Sequence, residues 1–160
     1  MRGPRSGSRT PEGSAPGYRV LNLLIDTNVL SEIRKGSRAN PRLLSWLKTI
    51  DERSMFTSVL TMGEILKGVE LLKHRDRRQY NVLSLWHQSL VRVFEDRLVP
   101  VTLEVSSLWA RLQSIRTLPV IDGYLAATAL THGMSLVTRN TRDFKGTGVP
   151  LVNPFKHSAS

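Results

Sequence analysis

Val20-Leu21-Asn22-Leu23-Leu24-Ile25 is a short apolar run that stops abruptly at Asp26-Thr27-Asn28. A run of this length and composition suits a buried strand. Asp, Thr and Asn end such runs because their side chains make turns and cap helices. The stretch therefore predicts a strand over 20–25, an acid at its carboxyl end, and a short helix over about 28–35 that stops near Gly36.

The same alternation continues outward from this point. Pro41 opens a second helix through Trp46 and Leu47, and residues 55–60 read as a second strand. Thr61 is placed to cap the next helix, with Glu64 as the N3 partner of a capping box and Ile65, Val69 and Leu72 as its apolar stripe. A polar break at 73–78 leads into a long amphipathic helix over about 79–95. Residues 98–101 read as a third strand, and 103–116 as a helix with Leu108, Leu112 and Ile115 on one side. Pro119 opens another helix, Gly133 ends it, 135–138 is a fourth strand and 149–152 a fifth. Strands alternating with helices predict a three-layer α/β/α domain over 20–156, built on a mainly parallel sheet of four or five strands. No internal repeat is visible.

Composition bounds the function. The 160 residues suit one domain. No uninterrupted apolar run reaches the roughly 18 residues of a membrane span. With no cysteine, disulfides, thiolate zinc sites and thiol catalysis are excluded, which fits a cytoplasmic protein. Residues 1–17 hold four Gly, three Pro and three Ser, so 1–19 read as a disordered tail, as do 157–160 at the other end. Lys and Arg total 23 against 13 Asp and Glu, a net charge of +10 and a pI near 10.8. Such an excess favours a polyanionic partner.

Against that basic background, four acids stand at one edge. Ligands of open α/β sheets bind beyond the carboxyl ends of the strands. Asp26 follows the first strand and Asp143 the fourth, while Glu64 and Asp122 fall near the starts of two helices. Singly, each acid reads as a cap, a capping-box partner, a charge favoured by a helix N-terminus, or a turn residue. Together they repel one another unless a cation sits among them. All-oxygen donors select a hard divalent ion such as Mg²⁺ or Mn²⁺. Gly68, Ala126 and Ala129, one or two turns beyond the acids, are expected to let their helices approach closely. Arg139, Arg142 and Lys145 around Asp143 suit phosphates, so the expected substrate is a phosphodiester. Thr27, Asn28, Thr138 and Asn140 are candidates to orient the metal's ligands or metal-bound water.

Four segments resemble the PIN domain family, nearest to the bacterial VapC and FitB-like toxins of type II toxin–antitoxin modules. They are Leu24-Ile25-Asp26-Thr27-Asn28-Val29-Leu30-Ser31-Glu32, Thr57-Ser58-Val59-Leu60-Thr61-Met62-Gly63-Glu64-Ile65-Leu66-Lys67-Gly68, Asp122-Gly123-Tyr124-Leu125-Ala126-Ala127-Thr128-Ala129, and Leu136-Val137-Thr138-Arg139-Asn140-Thr141-Arg142-Asp143-Phe144. The likeness spans about 21–155. It implies an Mg²⁺- or Mn²⁺-dependent ribonuclease in which Asp26, Glu64, Asp122 and Asp143 are the catalytic, metal-holding acids. It also implies a homodimer, an RNA substrate, and a cognate VapB/FitA-like antitoxin through which promoter DNA is bound. Hydrolysis by water would leave 5′-phosphate and 3′-hydroxyl ends.

Rival chemistries are thinly supported. His74, His87, His132 and His157 are not paired by the sequence, and Ser31 and Ser58 lack evident His–Asp partners. A phosphatase of the haloacid-dehalogenase type would want a second Asp where Asn28 stands. A non-catalytic PIN-like binding module would gain nothing from acids in a nucleic-acid groove. Trp46, Trp86 and Trp109 lie on apolar helix faces, as core or dimer-interface residues do, and the cluster at 73–78 reads equally as a phosphate track or a solvated turn.

Overall fold

The computed structural model describes residues 21–158. The first apolar run forms β1 (Leu23–Ile25), and Asp26 ends it. Helix α1 (Thr27–Ile33) starts at once because the Asp26 side chain accepts the Thr27 N–H. Helix α2 (Pro41–Leu47) is capped by Asn40, whose side chain accepts from Arg42 and Leu43. Strand β2 (Met55–Ser58) runs into α3 (Val59–Glu70), and α4 (Arg77–Val93) follows behind an Asp76 cap. The chain continues through β3 (Leu98–Val99), α5 (Leu103–Ile115), α6 (Val120–Thr131), β4 (Ser135–Val137) and β5 (Leu151–Val152). His157 and Ser158 carry no regular structure, and the tail expected at 1–19 lies outside the described residues.

All strand pairs are parallel, in the order β3-β2-β1-β4-β5. Leu24 pairs in register with Phe56 on one side and Leu136 on the other. Alternate side chains of β1 enter opposite layers. Leu23 and Ile25 pack with Val29, Leu43, Trp46, Met62 and Ile65 of α1–α3. Leu24 packs with Leu125, Ala126 and Ala129 of α6, together with Phe144. The result is the expected α/β/α sandwich with five strands. The order reverses between β1 and β4: β2 and β3 lie to one side of β1, β5 beyond β4. In a doubly wound sheet that reversal opens a crevice at the carboxyl edge.

Several local expectations fail for physical reasons. Val59 and Leu60 look like strand continuation, yet Ser58 caps α3 by accepting the Leu60 N–H at 3.1 Å. Thr61 is therefore inside the helix, and Glu64 stands in its second turn rather than in a capping box. Ile115 is 80% exposed, so α5 buries a face through Val105 and not through Ile115. Gly68 has no heavy atom within 4 Å of a built Cβ, so it brings nothing close. The close approach is at Gly123, where a Cβ would lie 3.0 Å from both Trp109 and Gln113 of α5.

Thr57 is fully buried and donates its hydroxyl to the Ile25 carbonyl at 3.0 Å, tying β2 to the end of β1. Thr57→Val keeps the shape and leaves that carbonyl short of a donor. It should cost about 1 kcal/mol in chemical denaturation, against about 2–5 kcal/mol for the cavity made by Leu24→Ala. Equal losses for the two would show that the hydroxyl contributes more than one ordinary hydrogen bond.

Candidate active site

Four segments at the carboxyl edge of the sheet each carry one acid, and the charges of Asp26, Asp143 and Glu64 are felt at Asp122. Asp26 caps α1 at the end of β1 and is 7% exposed. Its Oδ1 accepts the Thr27 N–H at 2.7 Å. Its Oδ2 accepts the Thr138 hydroxyl at 2.8 Å and the Asn28 amide at 3.1 Å. Thr138, the first residue after β4, is itself fully buried and accepts from Asn28 Nδ2 and the Asn140 N–H, both at 3.1 Å. With those positions filled, its proton is directed at Asp26. Asn28 Oδ1 accepts the Arg139 N–H at 3.1 Å, so the ends of β1 and β4 are sewn together through side chains. Thr27, Asn28 and Thr138 thus have the orienting contacts expected of them; Asn140 contributes its backbone N–H.

The other acids come from further afield. Glu64 Oε2 accepts the Thr27 hydroxyl at 2.9 Å, which links α3 to the first residue of α1. Asp122 stands in the first turn of α6. Gln113 fixes the approach to that helix by a two-way clamp: its amide donates to the Leu118 carbonyl at 3.0 Å and accepts the Leu118 N–H at 2.9 Å. Trp109 stacks on Tyr124 with centroids 4.7 Å apart, beside the tight contact at Gly123. Asp143 lies on the 3-10 turn Thr141–Phe144 that follows β4.

Burial pushes the Asp122 carboxyl up to about 6, and the charges of Asp26, Asp143 and Glu64 add to the effect. Burial also raises Asp26, opposed by its bonds to Thr138, the Thr27 N–H and Asn28. None of these four acids forms a salt bridge among the described residues, although the chain carries 23 bases. The nearby Arg139 is taken up elsewhere: its Nη2 lies 3.5 Å from Glu32 Oε2 and its guanidinium 3.9 Å from the Phe155 ring centroid. Glu32 is buried, also binds Lys35 at 2.7 Å, and is held below the usual carboxylate range chiefly by that lysine.

A hard divalent cation fits this donor set: the burial and the neighbouring negative charges that raise Asp122 are what such an ion offsets, and the donors are all oxygens. Among the described residues, however, no three acids are gathered in metal-holding geometry. Gln113, Gly123 and Glu32 contribute to the site without being candidates on sequence grounds. Only the Asp122-Gly123 dipeptide carries a signal, a glycine inside a helix marking close contact.

Comparison with known proteins agrees with this fold. The family model for the PIN domain matches residues 23–149. Toxin FitB of Neisseria gonorrhoeae is 32% identical over 139 residues, covering 83% of this chain and 98% of that protein. VapC ribonuclease Y4jK of Sinorhizobium fredii is 28% identical over 139 residues, covering 84% and 98%. A solved structure of FitAB bound to a DNA fragment superposes with a TM-score of 0.76 at 32% identity, over 85% of this chain and 97% of that one. With the match spanning β1 to β4 and all four acid-bearing segments, the chain belongs to the PIN domain family.

Proposed function

We propose that this protein is a divalent-metal-dependent endoribonuclease, the toxin of a type II toxin–antitoxin pair. The observation that carries the reading is the set of four acids left without a base partner in a chain of net charge +10. A groove that only gripped nucleic acid would be weakened by them, which disfavours the non-catalytic binding module. The relatives named a VapC ribonuclease and a FitB toxin support RNA as the substrate class and an antitoxin as the partner. Promoter DNA is then bound through that antitoxin, as the FitAB–DNA complex suggests by analogy. A cytoplasmic homodimer completes the reading. No helix among the described residues is long and apolar enough to cross a membrane.

Asp26, Glu64, Asp122 and Asp143 are proposed to hold Mg²⁺ or Mn²⁺. The ion would supply a Lewis acid that lowers the pKa of water and offsets charge on the leaving oxygen. Thr138, Asn28 and the Thr27 N–H fix the Asp26 carboxylate in one orientation, so it needs no reorganisation as charge develops. The Thr27 hydroxyl does the same for one oxygen of Glu64. Because water is the nucleophile, the RNA 2′-hydroxyl takes no part.

Asp26→Asn should lower cleavage at least about 100-fold. Its cost to folding is about 1–2 kcal/mol, because the new amide would face the Asn28 donor and force Thr138 to turn its proton away. Sequencing the ends of cleaved RNA should find 5′-phosphates and 3′-hydroxyls; cyclic phosphates, or full activity in excess chelator, would defeat the metal-hydrolysis reading.

An acid raised from about 4 in the unfolded chain to about 6 when folded binds its proton more tightly in the native state. Metal-free protein therefore loses this contribution as pH rises from about 4 to about 6, and Asp122→Asn should weaken the pH dependence by that share, leaving the part due to Asp26. A tenfold excess of Mg²⁺ over Kd should raise Tm by about 4 °C near pH 7.5 and by less near pH 5, where a proton competes for Asp122. A metal shift that is the same at both values would exclude Asp122 from the ligand set.

A further inference from the structure

Beside the acids lies a second, basic concavity of about 320 Å³. Three cations line it: Arg139, Arg142 and Lys156. Asn140 and Asn153 add side-chain amides, and Asp143 is the one acid in the wall. Asp143 therefore belongs to both spaces, since its charge is also felt at Asp122.

The three bases are not equivalent. Arg139 is preset. Its guanidinium rests over Phe155, its Nη2 is shared with Glu32, and its carbonyl accepts the Asn153 amide at 3.3 Å. A planar donor fork held this way loses little freedom when it binds an anion. Arg142 and Lys156 are exposed and form no ion pair among the described residues. Lys156 is carried by the short 3-10 turn Pro154–Lys156, which packs against α2 and is capped by Asn153 Oδ1 accepting the Phe155 N–H at 3.0 Å. Lys145, close to Asp143 in sequence, does not line the concavity. Arg116 binds its carbonyl, and Lys156 stands in its place.

Unpaired cations and amide donors in a concave wall select an anion with several acceptor oxygens. A nucleobase is disfavoured, because one face of Phe155 is already covered by Arg139. We propose that this concavity is a subsite for a backbone phosphate of the RNA next to the one cleaved, gripped by Arg142 and Lys156 and aligned by Arg139. The inference rests on the ribonuclease reading and adds a residue-level account of how a polyanion is drawn to an edge that four acids would otherwise make repulsive.

The test is initial-rate kinetics of the full chain on a mixed-sequence single-stranded oligoribonucleotide carrying a fluorophore and quencher, over a range of KCl. Arg142→Gln/Lys156→Gln should raise KM about tenfold or more, with a smaller change in kcat. The slope of log(kcat/KM) against log[salt] should flatten by about 0.7 for each phosphate that is no longer neutralised. Lys48→Gln/Arg53→Gln removes the same charge from positions leading into β2, toward the opposite sheet edge, and should leave KM within about twofold of wild type. Unchanged KM and slope in the first variant overturn the subsite; so does an equal loss in both variants, which would mean net charge alone is responsible. If the wild type cleaves no RNA, the ribonuclease reading fails separately. Fluorescence anisotropy of the same oligonucleotide in chelator then decides the subsite by the same comparison of salt slopes.

Discussion

Mutual repulsion among four carboxylates is the constraint around which this fold is arranged. Burying Asp26 and half-burying Asp122 at one sheet edge raises the free energy of their charged states, and the charges of the other acids add to the effect at Asp122. The protein answers with neutral donors. Two hydroxyls, one amide and one backbone N–H hold Asp26 and Glu64 in place. Neutral donors fix geometry without cancelling charge, so the negative field over the edge survives. A lysine or arginine in any of those positions would stabilise the fold more simply and abolish the field.

The parallel sheet makes this arrangement possible. Because β1 and β4 are neighbours with their successors on opposite sides, the chain leaves their carboxyl ends in divergent directions and exposes the crevice between them. Asp26 and Thr138 follow directly from that geometry, each one residue beyond its strand. Asp122 depends instead on tertiary packing. The Gln113 clamp on Leu118 sets where α6 begins, and the contact of Gly123 with Trp109 sets how near it lies.

These dependencies explain which parts of the molecule are legible in its sequence. The order of elements, the parallel sheet and the edge carrying the acids follow from apolar runs ending in Asp26 or Thr138, a signal contained within a few residues. The start of α3 is not legible in the same way, because Val59 and Leu60 satisfy both strand and helix patterns. A single hydroxyl bond from Ser58 decides between them. The position of Glu64 is insensitive to that ambiguity, because the helical phase relative to Ile65 and Val69 is the same wherever the helix begins. Lys156, Glu32 and Gln113 leave no readable signal. Glu32 meets Arg139 across 107 residues, and Lys156 reaches the edge only through a turn packed on α2. Gly68 fails as a packing signal for the converse reason: a small residue one turn from an acid permits close approach but does not require it, and here nothing approaches.

Charge segregation completes the logic. With nearly two bases for every acid, unrestrained arginines would be drawn to the four carboxylates and quench them. Arg139, only one residue beyond Thr138, is the greatest hazard. Glu32 removes it. Buried and held ionised mainly by Lys35, with the Asn40 N–H also bonded, it binds the Arg139 guanidinium from behind while Phe155 covers a face. Arg139 thereby lines the basic concavity and forms no ion pair with Asp26 among the described residues. A carboxylate outside the proposed ligand set thus keeps the neighbouring positive charge where a polyanion can use it, and keeps the ligand oxygens free for a cation.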